Sequence, residues 1–317
     1  MRALAAAGIE RAYLACSYKS MDVVKALGDG RYLGLELVYA FEEVPMGTAG
    51  AVKLIEEKLD GTFVVAMGDT LMDIDFEHII RSHERNKATV TIALTEVDNP
   101  IEFGIVGLDD KDRIVRFKEK PQAEEAFSKL INAGVYVIEK EVFQYVPPDT
   151  KFDFSKNLFP KLLEAGKPLY GSRLEGMWKD IGRPRDLLEA NLAMAERRGV
   201  ERRIPGITTK GKIVSGRFEG KGAILNGPIF LGENIKMDKD VTISSSAIGQ
   251  GSRIEAEVRI QNSLLLDSCT ILKGTTINGS IIGDGCKIGP GVTLNDCIIG
   301  DGVVMEGPSR LEGKTLE

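Results

Sequence analysis

The sequence predicts an α/β domain followed by a parallel β-helix, and two patterns carry this prediction. Over residues 1–198, short apolar runs alternate with amphipathic segments, which is typical of a mainly parallel sheet covered by helices on both faces. From about residue 211 the helical periodicity ends, glycine becomes frequent, and aliphatic residues recur at every sixth position. This period is typical of the hexapeptide repeats of a β-helix. The 317 residues suffice for two domains with separate cores.

The first pattern divides the α/β region into alternating elements. Candidate strands are 12–16, 35–40, 62–67, 88–97, 104–108, 114–120 and 133–138. Candidate helices are 21–27, 49–59, 74–86, 156–166 and 184–198. The last helix has Pro184 in its first turn and Gly199 just past its end, which is the usual asymmetry of helix termini. We therefore predict an α/β domain over 1–198, a linker over 199–211 and a β-helix over 212–317.

The second pattern predicts which side chains fill the β-helix. The aliphatic series steps by six residues, and the steps at Ile248 and Ile299 come one residue early. Its other members are Leu231, Met237, Ile243, Ile254, Ile260, Leu266, Leu272, Ile282, Ile288 and Leu294. Each is expected to point into a narrow prism, where every coil buries its face against neighbouring coils. A β-sandwich with coincidental strand lengths is the alternative.

Composition excludes several classes of partner. A net charge of −6 argues against a nucleic-acid partner, which would require a basic face. No apolar run reaches membrane-spanning length and no signal peptide is recognisable, so we expect no membrane partner and a cytoplasmic location. The four cysteines have neither paired CxxC spacing nor nearby histidines, and we interpret them as buried small hydrophobic residues. His78 and His83 are five residues apart on one predicted helix, so we interpret them as structural or solvent-facing.

The segment FVVAMGDT, residues 63–70, is the strongest functional signal. An apolar strand leads into Gly68 and then Asp69 at its C-terminal end, the end at which open α/β sheets bind ligands. A carboxylate there indicates a hard divalent cation that holds phosphate oxygens. Asp180, in MWKDIG, is the best second ligand. The pair predicts a Mg²⁺ site, whereas either aspartate alone is equally explained by turn or cap chemistry.

The segment PMGTAGA, residues 45–51, predicts a nucleotide-binding turn. Gly47 allows a close backbone approach, and Thr48 follows it at a helix N-terminus whose amides could bind a base or a phosphate. A plain N-cap is the alternative. Glu42 lies five residues upstream, and a carboxylate accepts the two hydrogen bonds that the N1–H and N2–H₂ edge of guanine offers. This favours guanine over uracil or thymine.

Two further segments predict a sugar-phosphate site. In FKEKP, Glu119 could accept sugar hydroxyls and Lys120 could hold a monoester phosphate, with the two side chains on opposite sides if the strand persists. In INAGVY, Asn132 and Gly134 could contact ring hydroxyls. A surface ion pair at a strand end is the alternative interpretation of Glu119 and Lys120.

In this order, the motifs resemble those of the sugar-1-phosphate nucleotidylyltransferases, most closely the mannose-1-phosphate guanylyltransferases, with glucose-1-phosphate thymidylyl- and uridylyltransferases close behind. The resemblance implies a Rossmann-like domain and a left-handed β-helix, and a reaction of a nucleoside triphosphate with a sugar-1-phosphate that yields a nucleotide sugar, GDP-mannose, and pyrophosphate. It also implies a homo-oligomer. The implied catalytic residues are Asp69 and Asp180, which bind the metal, and Lys120, which binds the phosphate of the sugar. The other implied roles are base binding by Glu42, Gly47, Thr48 and Ala49, sugar binding by Phe103, Gly104, Glu119, Asn132 and Gly134, and substrate binding by Gly68.

One departure from the family pattern generates an alternative function. The family opens with a strand and a GGxGTRL-type loop that binds the triphosphate, whereas this sequence begins at RALAAAG, which resembles the tail of the first helix with Gly8 as its stop. The resemblance therefore implies that this polypeptide is inactive or nearly so, either as a truncated enzyme or as a regulatory homologue that binds nucleotide sugar. A hexapeptide acyltransferase is a third hypothesis, disfavoured because residues 84–317 contain no histidine base.

Overall fold

The computed structural model describes residues 1–317, and internal contacts divide them into two compact units, Met1–Trp178 and Lys179–Glu317. The first unit is Rossmann-like and α/β, and the second is a parallel β-solenoid, so the predicted fold class is confirmed. The division falls earlier than the predicted domain boundary at residue 198. The reason is that the helix over 184–198 packs onto the solenoid, as described below.

The first unit consists of short helices and strands in alternation. Its helices are α1 (Arg2–Ala6), α2 (Ser20–Leu27), α3 (Gly47–Lys53), α4 (Phe76–Asn86) and α5 (Phe159–Glu164). Short 3-10 segments occur at Arg31–Leu33, Glu56–Lys58, Ala123–Glu125 and Lys140–Tyr145, and a π-helical turn occurs at Phe154–Leu158. Its strands are β1 (Arg11–Cys16), β2 (Glu36–Phe41), β3 (Thr62–Ala66), β4 (Thr70–Ile74), β5 (Val90–Glu96), β6 (Gly104–Leu108), β7 (Ile114–Glu119), β8 (Leu130–Glu139) and β9 (Leu169–Arg173), and β10 (Gly176–Asp180) crosses the unit boundary.

The sheets of this unit correct the prediction of a mainly parallel sheet. The main sheet has the order β7-β6-β8-β5-β9, with β3 also paired to β8. Only β5 and β9 are parallel within it, because β8 runs antiparallel to β3, β5 and β6. The strands β6 and β7 form a hairpin. No α-helix intervenes between β5 and β8, so this half of the sheet lacks the helical crossovers that parallel pairing requires. The strands β1 and β2 pair in parallel as a separate sheet, as β4 and β10 also pair separately.

Helix α4 illustrates how the sequence fixes the scaffold. Asp75 caps it by accepting a hydrogen bond from the backbone N–H of His78 at 3.1 Å. Its apolar side buries Phe76 and Ile79 against the main sheet. On the same side His83 is 2% exposed, with Nδ1 3.0 Å from Thr91 Oγ1 and Nε2 3.0 Å from Glu139 Oε1. His83 is therefore structural, as predicted.

An irregularity in β8 shapes the edge of the main sheet. Opposite β5, the pairing passes from Ile92–Tyr136 to Leu94–Asn132, so β8 contains two extra residues. Gly134 lies inside this bulge with φ +73°, a conformation that L side chains rarely adopt. Bulges commonly redirect side chains beside functional sites. Here the bulge sets the directions of the residues from Asn132 to Tyr136.

The second unit begins with a helix that packs onto the solenoid. Helix α6 (Pro184–Arg198) buries Leu188 in a cluster with Ala247 and Leu264 of the solenoid. The solenoid strands are β11 (Thr208–Lys210), β12 (Ile213–Ser215), β13 (Phe218–Gly220), β14 (Ile224–Leu231), β15 (Ile235–Met237), β16 (Thr242–Ile248), β17 (Arg253–Ile254), β18 (Arg259–Gln261), β19 (Leu264–Leu265), β20 (Thr270–Ile271), β21 (Thr276–Asn278), β22 (Ile281–Ile282), β23 (Lys287–Ile288), β24 (Thr293–Asn295), β25 (Ile298–Ile299), β26 (Val304–Met305), β27 (Arg310–Glu312) and β28 (Thr315–Leu316).

The register of the solenoid refines the predicted six-residue period. Cα partners in adjacent coils are 17 residues apart, as in the Leu265–Ile282 and Ile282–Ile299 pairs. Each coil therefore contains two six-residue steps and one five-residue step. The prediction placed the early step at Ile248 and Ile299 only, and it was wrong for Leu266 and Leu272. The buried positions are instead Leu265 and Ile271, both fully buried.

The polar interior positions of the solenoid also repeat every coil. Ser246, Ser263 and Ser280 are buried, and the Oγ of each accepts a hydrogen bond from the backbone N–H of the residue 17 positions later.

The four cysteines are free and buried, which confirms their interpretation as small hydrophobic residues. No helix of the chain combines the length and the apolar character needed to cross a bilayer.

Candidate active site

The bulge in β8 organises the first part of the site. Asn132 Nδ2 donates to the Tyr136 hydroxyl at 2.9 Å and to Ser155 Oγ at 3.0 Å, while its Oδ1 accepts from the N–H of Gly134 at 2.9 Å. Both amide hydrogens of Asn132 are therefore engaged. What Asn132 can offer a ligand is the remaining acceptor capacity of Oδ1. The backbone of Gly134 accepts from the N–H of Met67 at 2.9 Å, which places the end of β3 beside the bulge.

Glu119 lies at the end of β7, directly opposite Gly104 of β6. A Cβ atom at Gly104 would approach Glu119 Oε2 to 2.6 Å and Phe117 Cζ to 2.8 Å, so glycine leaves room for the carboxylate in its present position. Burial raises the pKa of Glu119, although Lys120, Lys156 and a hydrogen bond from Ser155 oppose the shift. Glu119 is thus a half-buried acceptor in a narrow space.

Tyr136 and Trp178 contact the residues of the β8 bulge and hold them in place. Tyr136 is 2% exposed, and burial raises its pKa to about 12, with the charges of Glu119 and Asp69 contributing in the same direction. Trp178 Nε1 donates to the carbonyl of Ala133 at 2.8 Å. Its ring also packs edge-on against Phe103, with centroids 5.8 Å apart. The aromatic contact joins the start of β6 to the bulge.

Lys120 does not continue the strand. It has φ +42° and its N–H donates to the carbonyl of Phe103 at 3.0 Å, which ends β7 at Glu119. The prediction that Glu119 and Lys120 point to opposite sides required the strand to continue through both residues, and it does not. The Lys120 side chain is exposed next to the half-buried Glu119.

The two predicted metal ligands lie in different units. Asp69 is exposed in the turn between β3 and β4, which Thr70 Oγ1 closes by donating to the Met67 carbonyl at 3.1 Å. Asp180 is half-buried at the end of β10, one residue past the start of the second unit. Both supply the carboxylate oxygens that Mg²⁺ prefers. Their convergence on one ion stays a prediction.

The N-terminus of α3 is occupied by the chain itself. Thr48 N donates to Asp153 Oδ1 at 3.1 Å, and the N–H groups of Ala49 and Gly50 donate to the carbonyl of Phe152 at 2.9 Å. A Cβ at Gly47 would meet that same carbonyl oxygen at 2.8 Å. The prediction that the Thr48 and Ala49 amides bind a base or phosphate is therefore not supported, since an aspartate and a carbonyl already accept these hydrogen bonds.

Glu42 also has a partner within the chain. Its Oε1 accepts from the N–H of Met46 at 3.3 Å and so helps to hold the turn that precedes α3. That contact leaves the second carboxylate oxygen without a partner in the chain. Recognition of a guanine edge by Glu42 stays a prediction.

Sequence reasoning missed the π-helical turn Phe154–Leu158, which connects the two halves of the site. Ser155 contacts Asn132 and Glu119, and Phe154 N donates to Thr48 Oγ1 at 3.0 Å. The prediction began a regular helix at residue 156, but α5 begins at Phe159. An irregular turn has no 3.6-residue periodicity, and π-helical turns are frequent at functional sites. The one available signal was the polar Asp153 and Ser155 within FDFS.

Family models match both parts of the chain. The nucleotidyl transferase family model matches residues 1–197, and the EIF2B subunit epsilon left-handed β-helix (LbH) domain model matches residues 217–311. The chain is 31% identical over 253 residues to a UTP–glucose-1-phosphate uridylyltransferase of Synechocystis sp., covering 74% of this chain and 65% of that protein. It is 32% identical over 250 residues to a mannose-1-phosphate guanylyltransferase of Mycobacterium tuberculosis, covering 78% of this chain and 69% of that protein.

A solved structure shares the fold. A Bacillus anthracis protein, described as a putative glucose-1-phosphate thymidylyltransferase in complex with sucrose, superposes with a TM-score of 0.56 at 24% identity, covering 63% of this chain and 82% of that one. The chain spans about two thirds of the length of the two curated relatives. Since the family model covers well over half of the chain, the chain belongs to the nucleotidyl transferase family, in which its relatives are named as sugar-1-phosphate nucleotidylyltransferases.

Proposed function

We propose that this chain serves the transfer of a nucleotidyl group from a nucleoside triphosphate to a sugar-1-phosphate, with GDP-mannose as the nucleotide sugar. The observation that carries the proposal is the convergence of Glu119, Asn132, Gly134 and Gly104 at the bulge of β8, beside the turn that bears Asp69. These residues come from three strands. Their meeting in one place is what a sugar-binding site requires.

The donors and acceptors of this site suit sugar hydroxyls. Glu119 offers carboxylate oxygens, and Asn132 offers only Oδ1 because its amide hydrogens are engaged by Tyr136 and Ser155. Both residues therefore accept hydrogen bonds, and a hexose supplies hydroxyl donors. Lys120, exposed beside them, can hold the sugar phosphate as a compact charge.

The reaction would be an in-line displacement that needs no covalent nucleophile. A phosphate oxygen of the sugar-1-phosphate forms a bond to the α-phosphorus, and the bond from that phosphorus to the bridging oxygen of pyrophosphate breaks. The chain contributes positioning and charge, which are the main sources of catalysis in such transfers. Asp69 and Asp180 are the proposed ligands of a Mg²⁺ ion, which when bound would neutralise phosphate charge.

The base and the sugar rest on finer arguments. One carboxylate oxygen of Glu42 has no hydrogen-bond partner in the chain, and one relative is a mannose-1-phosphate guanylyltransferase. The uridylyltransferase relative makes UDP-glucose the alternative product. Isothermal titration of the chain with mannose-1-phosphate and glucose-1-phosphate, and separately with GTP, UTP and dTTP in Mg²⁺, distinguishes these combinations.

A matched pair of variants tests the sugar site. Glu119→Gln should weaken binding of the sugar-1-phosphate by about tenfold or more, because a charged acceptor is lost. Glu124→Gln, an exposed glutamate five residues away, should leave it unchanged. Equal affinities for the sugar-1-phosphate in both variants would contradict the assignment. Binding without any nucleotidyl transfer would instead favour a regulatory homologue.

Ser155 provides a second test, because it positions Asn132 and Glu119 without being a candidate ligand itself. Ser155→Ala should weaken sugar-1-phosphate binding several-fold and leave the affinity for the nucleotide unchanged. Ser155→Thr, which keeps the hydroxyl, should restore binding. A Ser155→Ala variant with unaltered sugar-1-phosphate affinity would remove Ser155 from the site.

A further inference from the structure

A groove of about 650 Å³ lies within the second unit, where the segment that precedes the solenoid meets its first coils. Its walls include Arg202, Arg217 and Lys236, together with Asn234 and the apolar side chains of Ile204 and Pro205. Volumes of this order accommodate small-molecule ligands. None of these residues belongs to the candidate active site.

The polar groups of the groove are mostly available. The Arg217 side chain is 94% exposed, with Nε 4.0 Å from Glu233 Oε2, a distance at the limit of an ion pair. No ion pair or side-chain hydrogen bond engages the Lys236 ammonium or the Asn234 amide. Ser215 also lines the groove, and its Oγ is buried without a hydrogen-bond partner. A buried hydroxyl without a partner carries a free-energy cost that a bound acceptor would remove.

The positive charge of the groove continues along one face of the solenoid. Lys236 pairs in register with Arg253, which pairs with Thr270, which pairs with Lys287. The three cations point outward and are exposed, and none is in an ion pair. The whole chain carries a net charge of −6, so this column is a local reversal of sign. Glu219, which lies beside Lys236 in register, also lines the groove and is a carboxylate next to these cations.

We propose that this groove is a binding site for a phosphorylated small molecule of nucleotide size. Guanidinium groups pair with phosphate oxygens through two parallel hydrogen bonds, and Arg202 and Arg217 supply two such groups on the walls of one cavity. The Ser215 hydroxyl supplies a donor, and Ile204 and Pro205 supply apolar surface for the body of the ligand. The inference does not depend on the proposed nucleotidyl transfer, because its residues and its probe are separate.

The test uses inorganic pyrophosphate as probe, titrated into the full chain in EDTA. Arg202→Gln with Arg217→Gln should weaken pyrophosphate binding by about tenfold or more. The matched control, Arg259→Gln with Arg310→Gln, removes the same charge from exposed positions on another face of the solenoid and should have no effect. Far-UV circular dichroism checks that both double variants remain folded.

Two further variants separate this groove from the candidate active site. Lys120→Met should leave the pyrophosphate binding that depends on Arg202 and Arg217 intact. Ser215→Ala should weaken this binding several-fold, and alanine adds no atom that could block the groove. The proposal would be overturned if both arginine double variants lost pyrophosphate binding to the same extent, or if neither lost it. So would binding of an acidic peptide such as polyglutamate with pyrophosphate binding absent, because the groove would then serve a protein partner.

Discussion

Replacing Gly134 by alanine should both destabilise the first unit and damage the sugar site. The residue has φ +73°, so an L side chain there costs roughly 1–2 kcal/mol. The new Cβ would lie 2.9 Å from Met67 Cγ and 3.2 Å from Met67 Cβ, and overpacking of this kind costs about 1–3 kcal/mol. The reduced entropy of the unfolded chain offsets about 0.4–1 kcal/mol. The net loss of unfolding free energy should be about 1–4.5 kcal/mol.

Gly166→Ala is the matched control for this estimate. Gly166 has φ +69°, and no atom lies within 4 Å of the place that a Cβ would take, so alanine there carries the backbone strain without the clash. The two variants should therefore differ by about 1–3 kcal/mol. Urea unfolding followed by the fluorescence of Trp178, the one tryptophan of the chain, reports on the first unit, because its indole contacts the carbonyl of Ala133.

The functional consequence of Gly134→Ala follows from the same contacts. The Gly134 N–H holds Asn132 Oδ1, and its carbonyl holds the N–H of Met67. A shift of the bulge should therefore weaken sugar-1-phosphate binding, whereas Gly166→Ala should not. Equal stabilities of the two alanine variants within about 0.5 kcal/mol would refute the packing argument, and unchanged ligand affinity would refute its link to the site.

Three further predictions concern charge and packing. Burial raises the pKa of Glu119, so the free energy of unfolding should fall as pH rises and this side chain ionises. Glu119→Gln should therefore be at least as stable as the natural chain at neutral pH, measured by urea unfolding. Burial raises the pKa of Glu139, but hydrogen bonds from Thr62 and His83 outweigh it and leave the pKa lowered. Its stabilisation is therefore present above the usual glutamate range and lost as pH falls, and Glu139→Gln should flatten the acid side of a stability–pH curve. Leu265→Ala should cost about 2–5 kcal/mol and Leu272→Ala clearly less, since only the first is fully buried; equal losses in denaturant unfolding would refute the 17-residue register.

The sequence predicted most reliably what depends on local periodicity. The solenoid repeats a short pattern many times, so the sequence was sufficient to predict it. The predicted inward positions were wrong only at Leu266 and Leu272, because each directly follows another aliphatic residue that is the buried one. In the first unit, seven of the ten strands were predicted, whereas β4, β9 and β10 were missed and the strand directions were not predicted correctly. Strand direction is set by partners distant in sequence, as β8 shows by running antiparallel to three neighbours.

The candidate site shows the same division. Glu119, Asn132 and Gly134 were proposed from their residue types in FKEKP and INAGVY, and the structure brings them together. Ser155 was missed because its contacts reach residues far away in sequence. For the same reason, nothing in GTAGA indicates that Asp153 occupies the amide of Thr48. Local sequence reveals which groups are present, and long-range folding decides which of them stay free.

The most direct test of the proposed site is a crystal structure of the chain with GDP-mannose and with Mn²⁺ in place of Mg²⁺, because Mn²⁺ can be located by its anomalous scattering. We expect mannose hydroxyls within hydrogen-bond distance of Glu119 and Asn132, the sugar phosphate beside Lys120, and a metal ion bound by both Asp69 and Asp180. A nucleotide sugar bound away from Glu119 and Asn132, or an ion that either aspartate fails to touch, would contradict it.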